Sequence, residues 1–279
     1  GFGREIPPDL AARAPHLRMF QTLVAGVDHL PYRTLPRGLV ICGNAGAYNT
    51  SVSEHAMALL LAAAKDIPER TREIQSGVFD QSAMSRPLAG TTVLVLGMGG
   101  IGTTVAGICR AFRMHVIGVS RSGAVLPPAD EGARLDDVER LLPRVDYVVV
   151  ALPLTARTTH LVDRRFLAAM KEDAVLVNIA RGKIVVEDDL YEHLRTHPTF
   201  RAALDVWWVY PDGNAGRPFL RPFDTLPNVV MTPHNANAIP PQRREAMEAA
   251  VENVLRFLRG ERPRHVVDVT EYDTVAEPR

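Results

Sequence analysis

Short apolar runs alternate with amphipathic stretches over most of the chain. The runs cover residues 92–96, 115–119, 147–152, 174–179, 202–206 and 229–231. Each suits a buried strand and is too short for a helix. Between them, residues 101–112, 136–142, 164–170, 187–196 and 241–259 repeat apolar positions at helical spacing. The last helix carries Met247, Val251, Val254, Leu255 and Leu258 on one side and stops at Gly260. Strands alternating with helices predict a parallel sheet covered on both faces. The first fifty residues are less regular. They predict a short helix at 10–14, strands at 16–24 and 39–42, a turn at 26–29 and a small-residue loop at 44–49. A helix then begins near Ser51 or Ser53, either of which can cap it, with Ala56, Met57, Leu60, Leu61 and Ala64 as its apolar face. Residues 68–87 read as a polar arm with one helical piece at 69–76.

The run at 92–96 leads directly into Gly97, Gly99 and Gly102, spelling G-x-G-x-x-G, and a helix and a second strand follow. That setting makes the glycines a dinucleotide-binding signal. Gly97 turns the chain off the strand, Gly99 admits a pyrophosphate close to the backbone, and Gly102 lets the helix approach the sheet. Amides at the helix start, around Gly100 and Ile101, would face the phosphates. The second strand ends Val119-Ser120-Arg121-Ser122, with no acid before Asp130. An acid there would hold a ribose 2′-hydroxyl. Arg121, with Ser120 and Ser122 beside it, suits a 2′-phosphate instead, so NADP is expected in preference to NAD.

Composition removes other classes. The 279 residues are 46% hydrophobic and carry zero formal net charge, which gives no sign of a nucleic-acid or membrane partner. Cys42 and Cys109 are isolated, with neither metal-ligand spacing nor a disulfide framework, as in a reducing, cytoplasmic protein. No metal site, secretory signal or membrane-length apolar stretch is visible in the sequence.

Ligands of doubly wound sheets lie beyond the carboxyl ends of the strands. Those ends carry Pro153 and Thr155, Ile179 and Arg181, Asp205, and His234. Arg181 can grip a carboxylate bidentately and polarise a neighbouring carbonyl. His234 can exchange the proton that accompanies hydride transfer.

From Leu17 to Val267 the chain resembles the D-isomer-specific 2-hydroxyacid dehydrogenases. The motifs are Ala25-Gly26-Val27-Asp28-His29, Ser53-Glu54-His55-Ala56, Gly97 to Gly102, Pro153-Leu154-Thr155, Val177-Asn178-Ile179-Ala180-Arg181-Gly182, Leu204-Asp205-Val206 and Thr232-Pro233-His234. The resemblance implies an α/β fold of two Rossmann-like lobes with the site in the cleft between them. Residues 52–237 would form the dinucleotide-binding lobe, with its doubly wound parallel sheet. Residues 1–51 and 238–279 would form a smaller, flavodoxin-like substrate lobe, whose first segment is short for the family. The family further implies a homodimer acting on a small 2-keto or 2-hydroxy acid. By resemblance, Arg181 binds the substrate, His234 is the acid/base, and the backbone at Val24, Ala25 and Gly26 holds the carboxylate. Asp205 would contact the nicotinamide, with Thr155 and Ile179 lining the cofactor.

One departure stands out. The family's catalytic Glu lies five residues after the Asp that matches Asp205, and here that position is Tyr210. Tyr210 can orient His234 through its hydroxyl but brings no negative charge at neutral pH; Asp212 is a poor substitute because Pro211 intervenes. Two other readings follow. Formate dehydrogenases resemble the family, also lack the Glu, and need no proton relay. Corepressors of the same fold bind the cofactor and act through partners. Substrate choice is expected to lie around Val24, Tyr48, Trp207, Trp208 and Tyr210, with the tryptophans expected to pack between lobes.

Overall fold

The computed structural model describes residues 13–36, 38–213 and 215–272. In chain order the strands and α-helices are β1 (Met19–Gln21), β2 (Val40–Cys42), α1 (Asn49–Ala64), α2 (Ile67–Gln75), β3 (Thr92–Leu96), α3 (Gly100–Ala111), β4 (His115–Val119), β5 (Glu131–Ala133), α4 (Val138–Leu141), β6 (Tyr147–Val150), α5 (Arg164–Ala169), β7 (Val175–Asn178), α6 (Glu187–Thr196), β8 (Arg201–Leu204), β9 (Val229–Met231) and α7 (Pro240–Leu258). The helix expected at 10–14 lies outside the described residues except for its last positions.

The chain divides into two compact units. The larger comprises Val52–Leu152 and His160–Ala236, and the smaller Gly1–Ser51, Pro153–Thr159 and Asn237–Arg279. The larger unit holds a seven-stranded sheet in the order β5-β4-β3-β6-β7-β8-β9. Every pairing in it is parallel. The chain runs outward from β3 to β5, returns to β6 beside β3, and then runs the other way to β9. This reversal is the topological switch of a doubly wound sheet. Strands β3, β4, β6 and β7 are buried along nearly their whole length. Cover on both faces explains why they read as continuous apolar runs. Against one face pack Ala56, Met57, Leu60 and Ala64 of α1 and Val105, Ala106 and Cys109 of α3, in one core with Val93, Val95, Val149 and Val177. The smaller unit contains a parallel pair of strands, β1 and β2. Its core gathers Val27, Leu30, Leu39 and Ile41. Among the described residues, no helix is long and apolar enough to cross a membrane.

Several expected elements change. The strand foreseen over 16–24 shortens to β1, because Thr22 leaves it and donates from its hydroxyl to the Val24 carbonyl at 2.6 Å. Helix α1 starts at Asn49, so neither Ser51 nor Ser53 caps it. Their hydroxyls donate instead to the carbonyls of Tyr48 and Ile101. Strand β5 had no signal, because Glu131, Gly132 and Ala133 form no apolar run. Helix α7 reverses the expected face. Met247, Val251, Val254, Leu255 and Leu258 are 36–68% exposed, while Ala246, Ala250 and Asn253 are buried. Small side chains let the helix approach closely. The Ala246 carbonyl accepts from Asn44 Nδ2, and Asn253 Nδ2 donates to Gln21 Oε1 and the Arg264 carbonyl.

Helix α6 ends in a ring stack of His193 on His197, with centroids 4.1 Å apart, and Phe200 lies edge-on to His193. Burial, reinforced by His197, pushes the His193 imidazole down to about 4. Its Nε2 has no hydrogen-bond partner among the described residues. An unfolded histidine titrates at about 6.5, so the unfolded chain binds the extra proton first. Stability is therefore lost progressively as pH falls from about 6.5 toward about 4. His193→Phe keeps the stack and removes the titration. Its Tm should fall less steeply than the wild-type Tm over that interval; parallel slopes would dismiss the assignment.

Candidate active site

Because the sheet is parallel, the loops after β3, β4, β7, β8 and β9 leave the same edge of the larger unit. After β3, Gly97 adopts a φ of +104°. A Cβ there would lie 2.7 Å from the Ala151 carbonyl oxygen, and one on Gly102 would collide with the Gly97 carbonyl. Strand, turn and helix are thus pressed together, and glycine is required at both positions. Gly99 differs: a Cβ there meets no heavy atom within 4 Å. No protein contact demands glycine at this position, whereas a pyrophosphate against the backbone would. Gly99 is also the N-cap of α3 and places no side chain over the first-turn amides of Gly100, Ile101 and Gly102. The turn therefore fits the diphosphate of a dinucleotide. The Ile101 carbonyl, tied to Ser53, fixes the helix start from α1.

Ser120 and Arg121 follow β4 directly. The Ser120 hydroxyl accepts from the Gly123 amide and lies 3.2 Å from the Ser122 hydroxyl, so it shapes the turn that presents the exposed Arg121. The loop after β6 clusters with the smaller unit. In it Thr158 closes a tight turn, donating to the Pro153 carbonyl and accepting from the Thr155 amide.

After β7, the buried Asn178 organises the loop. Its Oδ1 accepts from the Ala180 amide and its Nδ2 donates to the Arg181 carbonyl at 2.9 Å. Arg181 is half-buried and donates from Nη1 to the Ala180 carbonyl at 2.7 Å. Ile179 is buried beside it. A Cβ on Gly182 would collide with the Trp207 carbonyl, so this loop rests on the segment after β8.

That segment also seats the loop after β9. Asp205 is 1% exposed. Its Oδ1 accepts from the Thr232 hydroxyl at 2.7 Å and the Asn235 amide at 3.2 Å, and Oδ2 accepts from the Ala236 amide at 3.4 Å. The Trp207 indole donates to the Thr232 carbonyl at 2.9 Å. His234 sits inside this seat with a φ of +55°, in the left-handed region that a non-glycine residue holds only under constraint. The Tyr210 ring lies 5.5 Å from the His234 ring at 53°, and the Tyr210 hydroxyl accepts from the Trp207 amide at 3.4 Å. The two rings are thus in contact. Asp212 is exposed. Within the larger unit, Trp207 packs on Phe219 and Trp208 on Phe223.

Val24, Ala25 and Gly26 belong to the smaller unit, in the loop after β1. Asn44 and Tyr48 donate side-chain hydrogen bonds to the Leu23 carbonyl, and the Asn44 amide donates to that of Val24. Among the described residues, no group of three or more His, Cys, Asp or Glu could hold a metal ion. Asn178 and His55 had no role assigned from the sequence. His55 Nε2 lies 3.0 Å from the Thr232 hydroxyl, across 177 positions of chain, and no local pattern signals such a pair.

Residues 57–236 match the family model described as D-isomer specific 2-hydroxyacid dehydrogenase, NAD binding domain. The D-3-phosphoglycerate dehydrogenase of Methanocaldococcus jannaschii is 32% identical over 270 residues, which is 96% of this chain and 50% of that protein. The glyoxylate reductase of Aeropyrum pernix is 33% identical over 269 residues, 93% of this chain and 79% of that one. Among solved structures, the NADPH-dependent glyoxylate/hydroxypyruvate reductase of Sinorhizobium meliloti, in complex with NADP and sulfate, superposes with a TM-score of 0.82 at 29% identity. It covers 96% of this chain and 85% of its own. The chain thus spans half the length of the first relative and about four-fifths of the second.

Proposed function

Since the chain belongs to the D-isomer-specific 2-hydroxyacid dehydrogenase family, we propose that it reduces a small 2-keto acid, glyoxylate or hydroxypyruvate, to the 2-hydroxy acid. The reduced nicotinamide supplies the hydride when bound. Arg181 grips the substrate carboxylate and polarises the carbonyl that receives the hydride. His234 gives its proton to the forming alkoxide. The residues assigned to the cofactor are Gly97, Gly99, Gly100, Ile101 and Gly102 for the phosphates, Ser120 and Arg121 for the ribose, and Pro153, Thr155, Ile179, Asp205 and His234 for the remainder. The backbone at Val24, Ala25 and Gly26 is assigned to the carboxylate.

One observation carries the proposal. The loops bearing Arg181 and His234 meet the same residue: Gly182 packs on the Trp207 backbone and the Trp207 indole holds the Thr232 carbonyl. A carboxylate-binding cation and a proton carrier braced by one residue suit a keto acid, whose carboxylate and carbonyl are adjacent. The test is a panel of glyoxylate, hydroxypyruvate and formate with both cofactors, followed by nicotinamide absorbance. Oxidation of the reduced cofactor by a keto acid is expected. Formate oxidation alone would favour the formate reading. Cofactor binding without turnover would favour a regulator.

The proposal extends to NADP over NAD on the strength of Arg121, which follows β4 where an acid would serve NAD. Arg121→Ala should weaken NADPH binding about tenfold to a hundredfold, as loss of a charge-assisted contact does, and leave NADH nearly unchanged. Binding titrations with both cofactors decide; equal losses remove the preference. A homodimer is also proposed, supported by exposed Ile67, Ile74, Val78, Phe79 and Met84 on α2 and the arm after it. The buried free thiols of Cys42 and Cys109 favour a reducing compartment such as the cytoplasm.

A further inference from the structure

His55 belongs to none of the assigned roles, yet its ring closes the seat of His234. Its Nε2 lies 3.0 Å from the Thr232 hydroxyl and 3.3 Å from Asp205 Oδ1. Donor accounting fixes the protonation. The Thr232 hydroxyl spends its proton on Asp205 at 2.7 Å, and a carboxylate only accepts. Nε2 must therefore carry hydrogen, and Thr232 Oγ1 accepts it. The result is a chain of donors from His55 through Thr232 to a buried carboxylate, of the kind in which each bond polarises the next.

The same carboxylate accepts the amides of Asn235 and Ala236. Only Pro233 and His234 separate Thr232 from Asn235. One carboxylate thus holds the Thr232 side chain before His234 and two backbone amides after it, and the His234 φ of +55° persists only while its surroundings over-determine it. The Thr232 hydroxyl is the shortest of the hydrogen bonds to that carboxylate, and His55 keeps the hydroxyl turned toward it. We propose that His55 is a positioning residue for the reaction: from α1 it locks the Thr232–Asp205 clamp and so fixes the direction from which His234 delivers its proton. The inference rests on the role given to His234 above.

Two variants and two readouts test it. His55→Leu removes the donor, whereas His55→Gln returns an Nε2–H at nearly the same reach. With glyoxylate as substrate, His55→Leu should lower kcat by about tenfold to a hundredfold, the scale of a catalytic group displaced by about 1 Å. The KM for the cofactor should stay within about twofold, and His55→Gln should recover most of kcat. The second readout needs no turnover. The ring resonances of His234, assigned with His234→Gln, should move in His55→Leu and return in His55→Gln. Wild-type kcat in the Leu form, or equal losses in both forms with His234 resonances unmoved, would overturn the proposal. If the wild-type enzyme reduces no keto acid, the functional reading falls separately, and unmoved resonances alone then refute the clamp.

Discussion

Arg181→Lys should lower kcat/KM for glyoxylate by about thirty- to eight-hundredfold, equivalent to about 2–4 kcal/mol of transition-state binding. The substitution keeps the positive charge and changes little else. Asn178 holds the loop through the Arg181 carbonyl, which lysine retains, and Gly182 still packs on Trp207. What disappears is the planar fork. A guanidinium steered by its own bond to the Ala180 carbonyl can meet two oxygens of a keto acid at once. A lysine ammonium is a mobile point charge that must choose between them. The loss should fall on kcat and KM together, because the fork both anchors the carboxylate and stabilises charge developing on the carbonyl oxygen. Cofactor affinity, titrated separately, should not change. Near wild-type turnover in this variant would mean that another group anchors the substrate.

Removing the proton carrier should cost as much or more. His234→Gln should lower kcat for keto-acid reduction by about a hundredfold to ten-thousandfold, the span typical of a positioned general acid. Tyr210 then decides how that acid responds to pH. Reduction requires the imidazole protonated, so the rate declines as pH rises through its titration. A carboxylate against the ring favours the charged form and raises that titration. Tyr210→Glu should therefore carry reduction to higher pH. Tyr210→Phe should leave the profile nearly unchanged, because the phenol carries no negative charge at neutral pH and the ring is kept. Oxidation of the hydroxy acid needs the neutral imidazole and should respond to Tyr210→Glu in the opposite sense. Superimposable kcat/KM profiles for wild type and Tyr210→Glu would show that residue 210 does not act on His234.

The parallel sheet and its glycine turn are legible in the sequence, and the reason is physical. Strands β3, β4, β6 and β7 are covered on both faces, so each is a largely apolar run, and Gly97 and Gly102 are demanded by the neighbouring strand end at Ala151 and by the Gly97 carbonyl. Elements that depend on distant partners were not legible. Helix α7 docks through Ala246, Ala250 and Asn253, whose value lies in close approach and in hydrogen bonds to Gln21 and Arg264, and a hydrophobic stripe gives no hint of that. Ser51 and Ser53 have the residue type of caps, but the Ser51 hydroxyl bonds back to the Tyr48 carbonyl and that of Ser53 reaches Ile101 at the start of α3. By resemblance alone, Asp205 is a cofactor contact and nothing more. Its service as the clamp of the His234 loop depends on Thr232, 27 positions on, and on a backbone turn that only the folded chain supplies. The tryptophans likewise look unassigned in one dimension, yet Trp207 braces both chemical loops.

Hydride transfer to a 2-keto acid with His234 supplying the proton should set the product in the D configuration by which the family is described. Its most direct test is the stereochemistry of the product formed from hydroxypyruvate and reduced cofactor by the wild-type chain. D-glycerate is expected, formed in step with cofactor oxidation and suppressed in both Arg181→Lys and His234→Gln. L-glycerate, or D-glycerate formed at undiminished rate by either variant, would contradict it.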